Sequence, residues 1–479
     1  MFMSPKYRSF FQPDGGWVGD VIPWAEGDEL RLYYLFEQRV TPKPGMPWHL
    51  VTTTDLAHLV DRGEAFPSGG PAAPDFNIYT GSIVEHIDGT LYLFYTGQHP
   101  DRLGADGAPV QLVMQAASSD RGATWTRQPE HAFGAPAGYE TGDWRDPFVF
   151  FDPDAGLWRM LIAARHDSGP ERRRGVIAQQ VSRDLTTWEP ADPFWDPRRY
   201  ITHECPEVFQ IGDWWYLVFS EFSESFQTRY RMSRTATGPW VTPAHDTLDG
   251  RAYYAAKSAG FHGRRLFFGW IASREESHDD GDWQWAGTLS IHEAVQNRDG
   301  SLGFRIPQER LNLFSESVDP GLAPGALASD GYAAAVSEHL LPESFHAHIE
   351  LQIDAGTTEA GVLLRTSPDG DVGYVIRLEP QRNRLVLDRW PRRRTGEAQW
   401  QASGDIPFEI ELERPYDIGP GRHTLDLLVE GDLCVVGLDQ QVTLSTRIYD
   451  HPSGRLGVFV GEGSMTVHSL EISTTPSDN

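Results

Sequence analysis

Three carboxylate residues, Asp20, Asp146 and Glu204, have the residue type and sequence setting needed for acid–base chemistry. Each stands at the head of an apolar segment, and a turn and a second apolar segment follow it. Cleavage of a glycosidic bond uses two carboxyl groups, one ionised and one protonated. Glu204 precedes Cys205-Pro206 and an apolar run, and such surroundings raise a carboxyl pKa by desolvation. We therefore predict glycoside chemistry, with Glu204 as the acid.

Each carboxylate also has a purely structural interpretation. An Asp before Pro, as at Asp146, commonly forms a turn. An Asp within an apolar strand, as at Asp20, is harder to dismiss because an unpaired buried charge is costly. The occurrence of all three at the heads of similar units favours catalysis. Arg145, beside Asp146, is then predicted to clamp substrate hydroxyls and to tune the site.

Further polar and aromatic residues are candidates for contact with a sugar. Ser82 and Lys257 head two more units, although a Ser at the start of a strand often only caps backbone groups. Trp17 and Trp285 could stack on a sugar face or could fill the core, and the same holds for Trp144. His203, next to Glu204, could bond substrate or lie at the surface. Ser82, Lys257, Trp17, Trp285 and His203 are thus predicted substrate contacts.

The chain repeats. The residues at the heads of the units are separated by 62, 64, 58 and 53 positions, and they are Asp20, Ser82, Asp146, Glu204 and Lys257. Each unit contains segments for about four strands, and repeats of four-stranded units form β-propellers. We predict five blades. Because the first strand of each blade lines the central channel, the marker residues should converge on one funnel.

The repeat pattern stops after Ile306-Pro307-Gln308, and a stretch rich in Pro and Gly follows at 318–325. Beyond it, short alternating segments recur about every ten residues, as in antiparallel β-sandwiches. The predicted fold is therefore all-β, a five-bladed β-propeller followed by a C-terminal antiparallel β-sandwich. The predicted boundaries are 1–312 for the propeller, 313–332 for a linker and 333–479 for the sandwich.

Composition excludes several classes of function. The 479 residues carry a net charge of −27, and such a chain lacks the basic surface that nucleic-acid binding requires. Two cysteines, Cys205 and Cys434, predict neither a disulfide framework nor a zinc site. No signal peptide or membrane span is evident, so we predict a soluble cytoplasmic protein with a carbohydrate as partner and with no membrane or nucleic acid. The oligomeric state is not indicated.

The motifs around these carboxylates resemble those of glycoside hydrolase family 32, the retaining β-fructofuranosidases. The family's Trp-x-Asn-Asp-Pro-Asn-Gly motif is similar to residues 17–23, its Arg-Asp-Pro motif to Arg145-Asp146-Pro147, and its Glu-Cys-Pro motif to Glu204-Cys205-Pro206. The segments Tyr79-Thr80-Gly81-Ser82 and 93–97 also resemble family motifs, and the likeness extends into the C-terminal region at 445–449.

The resemblance implies Asp20 as nucleophile, Glu204 as acid/base, and Asp146 as a transition-state stabiliser acting with Arg145. The sequence departs from the family beside the nucleophile. Gly19 stands where the family has Asn, Val21-Ile22-Pro23 stands where it has Pro-Asn-Gly, and residues 290–293 differ from a Pro-Arg-Glu segment. The carboxylates match the family more closely than their surroundings do.

We therefore expect a retaining exo-glycosidase that acts on a terminal furanosyl residue, foremost β-D-fructofuranosyl, with hydrolysis favoured over transfer. Neither a metal nor an organic cofactor is required. An inverting arabinofuranosidase of the related five-bladed family 43 is an alternative, and a fructosyltransferase or a difructose-forming enzyme is another. From a different class, a non-catalytic carbohydrate-binding propeller remains open.

Overall fold

The computed structural model describes residues 6–391 and 410–476. Strands dominate these residues, which include one short α-helix, α1 (Gln308–Leu311). Four single-turn 3-10 helices lie at Pro129–His131, Glu171–Arg173, Glu275–Ser277 and Pro380–Arg382. Within the described part of the chain, no helix is long and apolar enough to cross a membrane. The predicted fold class, a five-bladed propeller followed by a β-sandwich, is confirmed.

The first two blades each begin with a strand whose middle residues are mostly buried, as the apolar segments of the sequence predict. The strands of blade one are β1 (Trp17–Glu26), β2 (Glu29–Glu37), β3 (Trp48–Thr53) and β4 (Val60–Phe66). Those of blade two are β5 (Asn77–Glu85), β6 (Leu91–Leu103), β7 (Pro109–Ser118), β8 (Thr126–Arg127) and β9 (Phe133–Gly134). Neighbouring strands pair antiparallel.

Blades three and four follow the same plan, but blade four is reduced at its outer edge. Blade three comprises β10 (Tyr139–Asp152), β11 (Leu157–His166), β12 (Gly175–Ser182) and β13 (Glu189–Trp195). Blade four comprises β14 (Glu204–Ile211), β15 (Trp214–Glu221) and β16 (Gln227–Ser233). Two isolated bridges, Met232 to Val241 and Arg229 to Thr247, stand where a fourth strand was expected.

Blade five closes the ring against blade one. Its strands are β17 (Tyr253–Phe261), β18 (Arg264–Arg274), β19 (Trp283–Gln296) and β20 (Leu302–Arg305). Strand β19 pairs with β1 through Val18 and Gly287, which joins the first and last blades in one sheet. A Cβ atom at Gly287 would lie 1.8 Å from the Ile271 carbonyl oxygen, so this approach requires glycine.

The C-terminal sandwich encloses a large apolar core between two layers. Strands β22 and β31 are long and contribute to both layers. The strands are β21 (Glu316–Val318), β22 (Gly325–Leu340), β23 (Ser344–Ile353), β24 (Glu359–Thr366), β25 (Gly373–Glu379), β26 (Arg384–Trp390), β27 (Leu412–Pro415), β28 (Gly421–Glu430), β29 (Leu433–Leu438), β30 (Val442–Arg447) and β31 (Arg455–Thr474).

The segment predicted as a linker, 313–332, is structured. It contains β21 and the first half of β22, and both pair with β31 in the sandwich. The Pro and Gly residues that suggested a linker lie between these two strands, which run in the same direction along β31. We propose that the folding units still divide near residue 312, with the sandwich beginning at β21.

Apolar packing and buried polar bonds join the propeller to the sandwich. One apolar cluster combines Phe267 and Phe304 of the propeller with Leu428, Leu433 and Val435 of the sandwich. Beside it, Asp249 accepts hydrogen bonds from His292 (2.9 Å) in β19 and from the backbone N–H (2.8 Å) and hydroxyl (2.8 Å) of Ser445 in β30. The segment 445–449, which resembles a family motif, therefore lies at this interface and supports blade five.

Candidate active site

A backbone irregularity marks the same place in all five innermost strands. The pairing register shifts within 18–21 of β1, 79–81 of β5, 145–148 of β10, 204–207 of β14 and 254–257 of β17. A β-bulge bends the strand and re-aims a side chain, and bulges are common beside active sites. The five bulges thus turn side chains that would point into the blades toward the propeller axis.

The three carboxylates flank these bulges at different positions. Asp20 is the second bulged residue of β1, Asp146 is the first of β10, and Glu204 is the last paired residue before the bulge of β14. The three carboxylates, predicted at the heads of similar units, therefore do not occupy equivalent positions of their strands. The pairing register of each strand shifts at the bulge beside the carboxylate. What the carboxylates share is a position in a bulge or directly before it.

Three bulges hold a non-glycine residue in a left-handed conformation. The φ angles are 58° at Asp146, 49° at Cys205 and 52° at Ala255, each the first residue of its bulge. Such a conformation costs about 1–3 kcal/mol per residue and persists where the surrounding fold enforces it. Its recurrence in three blades indicates that the fold maintains a fixed funnel geometry.

Asp20 is held by donors from three other blades. Thr80 Oγ1 donates to Asp20 Oδ2 at 2.6 Å, Trp270 Nε1 donates to Oδ1 at 3.1 Å, and Cys205 Sγ approaches Oδ2 at 3.7 Å. Donors on both oxygens fix the plane of the carboxylate and stabilise its ionised form. The side chain remains partly exposed at the funnel. This arrangement suits an oriented anionic nucleophile.

Asp146 is buried, and both its carboxylate and its backbone N–H are hydrogen-bonded. Its Oδ2 accepts the Cys205 backbone N–H at 2.9 Å, and its own N–H donates to Thr96 Oγ1 at 2.8 Å. Arg145 Nε lies 3.8 Å from the same Oδ2. These contacts connect blades two, three and four and leave the carboxylate little freedom to move.

Glu204 reaches the funnel with about a fifth of its side chain (21%) exposed. Tyr254 donates its hydroxyl to Oε2 at 2.6 Å, and Arg145 Nη2 contacts Oε1 at 3.0 Å. Arg145 also binds Asp143 through Nη1. Arg145 therefore bridges to the acid more closely than to Asp146, whereas the sequence had suggested a pair with Asp146.

Burial and nearby charges set the protonation of the site. Burial raises the pKa of Glu204, and the Arg145 charge and the Tyr254 hydrogen bond oppose that rise. Burial also raises the pKa of Asp20, opposed by the bonds from Thr80 and Trp270, and that of Asp146, opposed by Arg145. Because the carboxylates also repel one another, the funnel favours retention of a proton over ionisation of all three groups.

Ser82, Lys257 and His203 do not reach the funnel surface. Ser82 is 4% exposed, and its hydroxyl donates to the Pro147 carbonyl at 2.9 Å. This hydrogen bond connects blade two to blade three. Lys257 is 1% exposed and donates to the Gly81 carbonyl at 2.7 Å. His203 is 0% exposed among aromatic rings, which lower its pKa to about 3 by desolvation. Substrate contact was predicted for all three, and the structure places all three side chains in buried positions.

The tryptophans divide between the core and the funnel rim. Trp144 is fully buried, as the core interpretation expected. Trp285 is 39% exposed and packs edge-on against Trp270, the residue that binds Asp20. Trp17 is partly exposed, and the Arg39 guanidinium lies 4.3 Å above its ring. Trp285 thus remains available for stacking on a sugar, whereas the Trp17 ring is already in contact with Arg39.

Four residues of the site were not among the predicted site residues. They are Thr80, Thr96, Tyr254 and Trp270, each of which bonds to a carboxylate residue of the funnel. Tyr254 is equivalent to Glu204 and Arg145, since each immediately precedes the bulge of its strand, but the spacing of apolar residues does not reveal this equivalence. Thr80 lies two residues from Ser82, and the bulge turns Thr80, not Ser82, toward Asp20.

A propeller with opposed carboxylates at its axial funnel, followed by a sandwich, defines the class of the chain as a glycoside hydrolase. The model of the glycosyl hydrolases family 32 N-terminal domain matches residues 10–304, more than half of the chain. The chain therefore belongs to glycoside hydrolase family 32.

Curated relatives and solved structures agree with this placement. A levanase of Bacillus sp. (strain L7) is 25% identical over 98% of this chain, and the chain spans 53% of that levanase. The sucrose-6-phosphate hydrolase of Escherichia coli is 28% identical over 78% of this chain and 82% of its own length. Fructan 1-exohydrolase IIa from Cichorium intybus shares the fold, with a TM-score of 0.77 at 17% identity over 100% of this chain and 99% of its own.

Gly19, the departure from the family motif, has a steric explanation. A Cβ atom at Gly19 would lie 2.7 Å from Trp285 Cη2 and 2.9 Å from Leu35 Cβ. The Trp285 indole therefore occupies space beside Asp20 that an Asn side chain would require. The absence of a side chain at Gly19 thus leaves room for the Trp285 indole, and the two residues are sterically complementary.

Substitution Gly19→Asn should accordingly lower the free energy of unfolding by about 1–3 kcal/mol through overpacking. Combining it with Trp285→Ala should recover part of that loss, with a coupling energy of at least about 0.5 kcal/mol in a double-mutant cycle of denaturant unfolding. Gly325→Asn serves as the control, since a Cβ atom at Gly325 would have no neighbouring atom within 4 Å and its φ lies outside the left-handed region. Additive effects of Gly19→Asn and Trp285→Ala would contradict the steric pairing.

Proposed function

We propose that the protein is a retaining exo-hydrolase that releases a terminal β-D-fructofuranosyl residue from an oligosaccharide or fructan. The observation that carries this proposal is the pair of differently held carboxylates at one funnel. Asp20 has donors on both oxygens, whereas Glu204 is bonded to Arg145 and Tyr254. Relatives named levanase, sucrose-6-phosphate hydrolase and raffinose invertase support fructose as the sugar.

In the first proposed step, an Asp20 oxygen attacks C2 of the fructosyl residue as the C2–O bond to the leaving group breaks. Glu204 gives its proton to the departing oxygen, and a fructosyl ester of Asp20 forms. In the second step, water attacks C2, Glu204 accepts the water proton, and the ester bond to Asp20 breaks. Both steps need only these two carboxyl groups and water.

Asp146 and Arg145 would hold the sugar during both steps. The funnel leaves 21% of the Glu204 side chain and 15% of the Arg145 side chain exposed, whereas Asp146 is 4% exposed. We propose that Asp146 accepts hydrogen bonds from fructosyl hydroxyls and that these bonds strengthen as charge develops on the ring. Trp285, at the rim beside Asp20, is positioned to contact the leaving group or the ring edge.

A product screen tests the substrate class. Sucrose, inulin, levan, difructose anhydrides and aryl arabinofuranosides are incubated with the protein, and products are separated by ion-exchange chromatography. The proposal predicts free fructose as the first product from a β-fructofuranoside. Release of arabinose alone would favour the family 43 type of reaction, longer fructosides without free fructose would favour transfer, and no release from any substrate would favour a carbohydrate-binding propeller.

The contact between Arg145 and Glu204 predicts a change in pH dependence. The Arg145 charge stabilises ionised Glu204 and so lowers the pKa of that carboxyl. Arg145→Gln should raise the Glu204 pKa and keep the acid protonated to higher pH. The basic limb of kcat/KM should therefore move upward by about one pH unit, together with a loss of overall rate.

The matched control for this variant is Arg165→Gln. Arg165 contacts Glu140 at 3.3 Å and Asp143 at 3.8 Å, so it belongs to the same charge network. It makes no contact with Glu204 among the described residues. The basic limb of the pH profile of Arg165→Gln should stay near that of the unmodified protein. If the basic limb of Arg145→Gln did not move, or moved to lower pH, the result would argue against Glu204 as the acid.

A further inference from the structure

We propose that the sandwich carries a binding site for a divalent transition-metal ion of the zinc type, formed by His346, His348 and Asp426. His346 Nε2 and His348 Nδ1 each lie 2.9 Å from Asp426 Oδ1. One potential ligand atom from each residue lies within 4.8 Å of the others. Imidazole nitrogen and carboxylate oxygen are ligands that Zn²⁺ accepts.

Strand geometry brings these residues to one face of the sheet. Strand β23 alternates strictly between buried and partly exposed residues, so His346 and His348 both point away from the sandwich core. Asp426 in β28 pairs directly with His348 across the ladder. Two imidazoles spaced two residues apart and a carboxylate opposite them are therefore fixed by backbone register and not by mobile loops.

The surrounding groups favour a cation. Glu471 in β31 pairs with His348 on the other side of β23, which gives the row Asp426, His348 and Glu471 across three strands. Glu471 and Glu350 both act electrostatically on His348. Arg305, which lines the same cleft as Asp426, is bound to Glu293 at 2.7 Å. Glu471 is thus available as a fourth ligand, and the local charge balance attracts a positive ion.

The spacing of each imidazole from Asp426 needs little adjustment to accept an ion. Ligands about 2.0 Å from a tetrahedral zinc ion lie about 3.3 Å from one another, slightly farther apart than the 2.9 Å contacts of the unliganded cluster. The His348 side chain is 34% exposed, whereas those of His346 and Asp426 are each 13% exposed. An ion can therefore enter beside His348 and become largely shielded.

The site adjoins the contact between the two domains. A small cleft on the Asp426 side is lined by Arg305, Ile306, Gln308 and Leu311 of the segment that ends the propeller. Leu428, which pairs with His346, packs in the apolar cluster that both domains share. An ion would tie β28, β23 and β31 together at this edge, and we infer a stabilising role for it, remote from the catalytic funnel.

The test uses full-length protein prepared without a polyhistidine tag and stripped with a chelator. Zn²⁺ is titrated by calorimetry, and Co²⁺ is followed by its visible absorption, which reports nitrogen and oxygen ligation. The proposal predicts one saturable site per chain and a rise in Tm on addition of Zn²⁺. The absence of saturable binding by the unmodified protein would overturn it without any variant.

Variants then locate the ion. The double variant His346→Gln, His348→Gln should lose saturable binding and the Zn²⁺-dependent rise in Tm. Glu471→Gln should weaken binding by about tenfold or more if it supplies the fourth ligand. His468→Gln, at an exposed position of β31 in the same sheet, is the matched control and should bind as the unmodified protein does.

Glycosidase activity serves as the check of folding, because none of these residues lies at the funnel. Each variant should therefore retain its rate without added metal. Unchanged binding in the double variant would place the ion elsewhere and overturn the proposal, leaving a hydrogen-bonded triad only. This outcome is independent of the proposed reaction, since the metal titration and Tm are measured without substrate.

Discussion

Asp20→Asn is expected to lower kcat on sucrose or a fructan by on the order of 10⁴-fold, because an amide cannot form the fructosyl ester. The fold should survive the change. The Asn carbonyl can accept the Trp270 N–H, and the Thr80 hydroxyl can reverse to accept the new amide N–H. Steady-state kinetics measure the loss, and thermal unfolding measures the stability.

A carboxylate far from the funnel provides the control for Asp20. Asp88 lies in the hairpin turn of blade two with 58% of its side chain exposed. Asp88→Asn should leave kcat within about twofold, since surface substitutions of this kind have small effects. If Asp20→Asn retained a rate within about tenfold of the unmodified protein, Asp20 would not be the nucleophile.

Glu204→Gln is expected to produce the second large effect, a loss of about 10³-fold on sucrose, because the glutamine cannot protonate the departing oxygen. The loss should be much smaller for an aryl fructofuranoside, whose leaving group departs without a proton. Added azide should then accelerate turnover, since it attacks the fructosyl ester without needing a general base, and a fructosyl azide of retained configuration should accumulate.

Glu207→Gln is the matched control, since Glu207 lies three residues farther along the same strand. Glu207 is buried and accepts bonds from the backbone N–H and hydroxyl of Ser258 at 3.0 and 2.5 Å. Its replacement should lower stability but should preserve the dependence of rate on the leaving group. An equal loss on sucrose and on the aryl fructoside in Glu204→Gln would show that Glu204 does not act as the acid.

Repetition in the sequence predicted the propeller because every blade repeats one physical pattern, an apolar innermost strand followed by a turn and a second apolar strand. The markers Asp20, Asp146 and Glu204 meet at one funnel as this pattern required. The pattern could not resolve the bulges, because a bulge alters backbone pairing without altering the spacing of apolar residues. Ser82 was therefore chosen where Thr80 makes the contact.

Side chains that look polar and accessible in sequence can be buried by distant parts of the chain. Lys257 and His203 stand beside catalytic positions, yet Lys257 bonds across to blade two and His203 packs under aromatic rings of blade four. Local sequence does not report such contacts between segments far apart. The resemblance to family 32 was more informative for the carboxylates, since whole motifs carried it.

The strands of the sandwich were also predicted only in part from the sequence. Several of its strands follow the period-2 pattern, and β23 covers the predicted segment 346–353. The pattern failed for β22 and for most of β31, whose 20 residues serve two layers. A strand shared between layers changes which face is buried along its length, so it shows no single alternation. The 313–332 segment was predicted as a linker because Pro and Gly residues are concentrated at 318–325.

The stereochemistry of transfer to methanol tests the central claim, a covalent fructosyl ester at Asp20, most directly. The protein is incubated with sucrose in dilute methanol, and the methyl fructofuranoside formed is identified by NMR, since this product cannot mutarotate. Double displacement predicts the β anomer, with the configuration of the substrate retained. Formation of the α anomer would show a single displacement and would contradict the account.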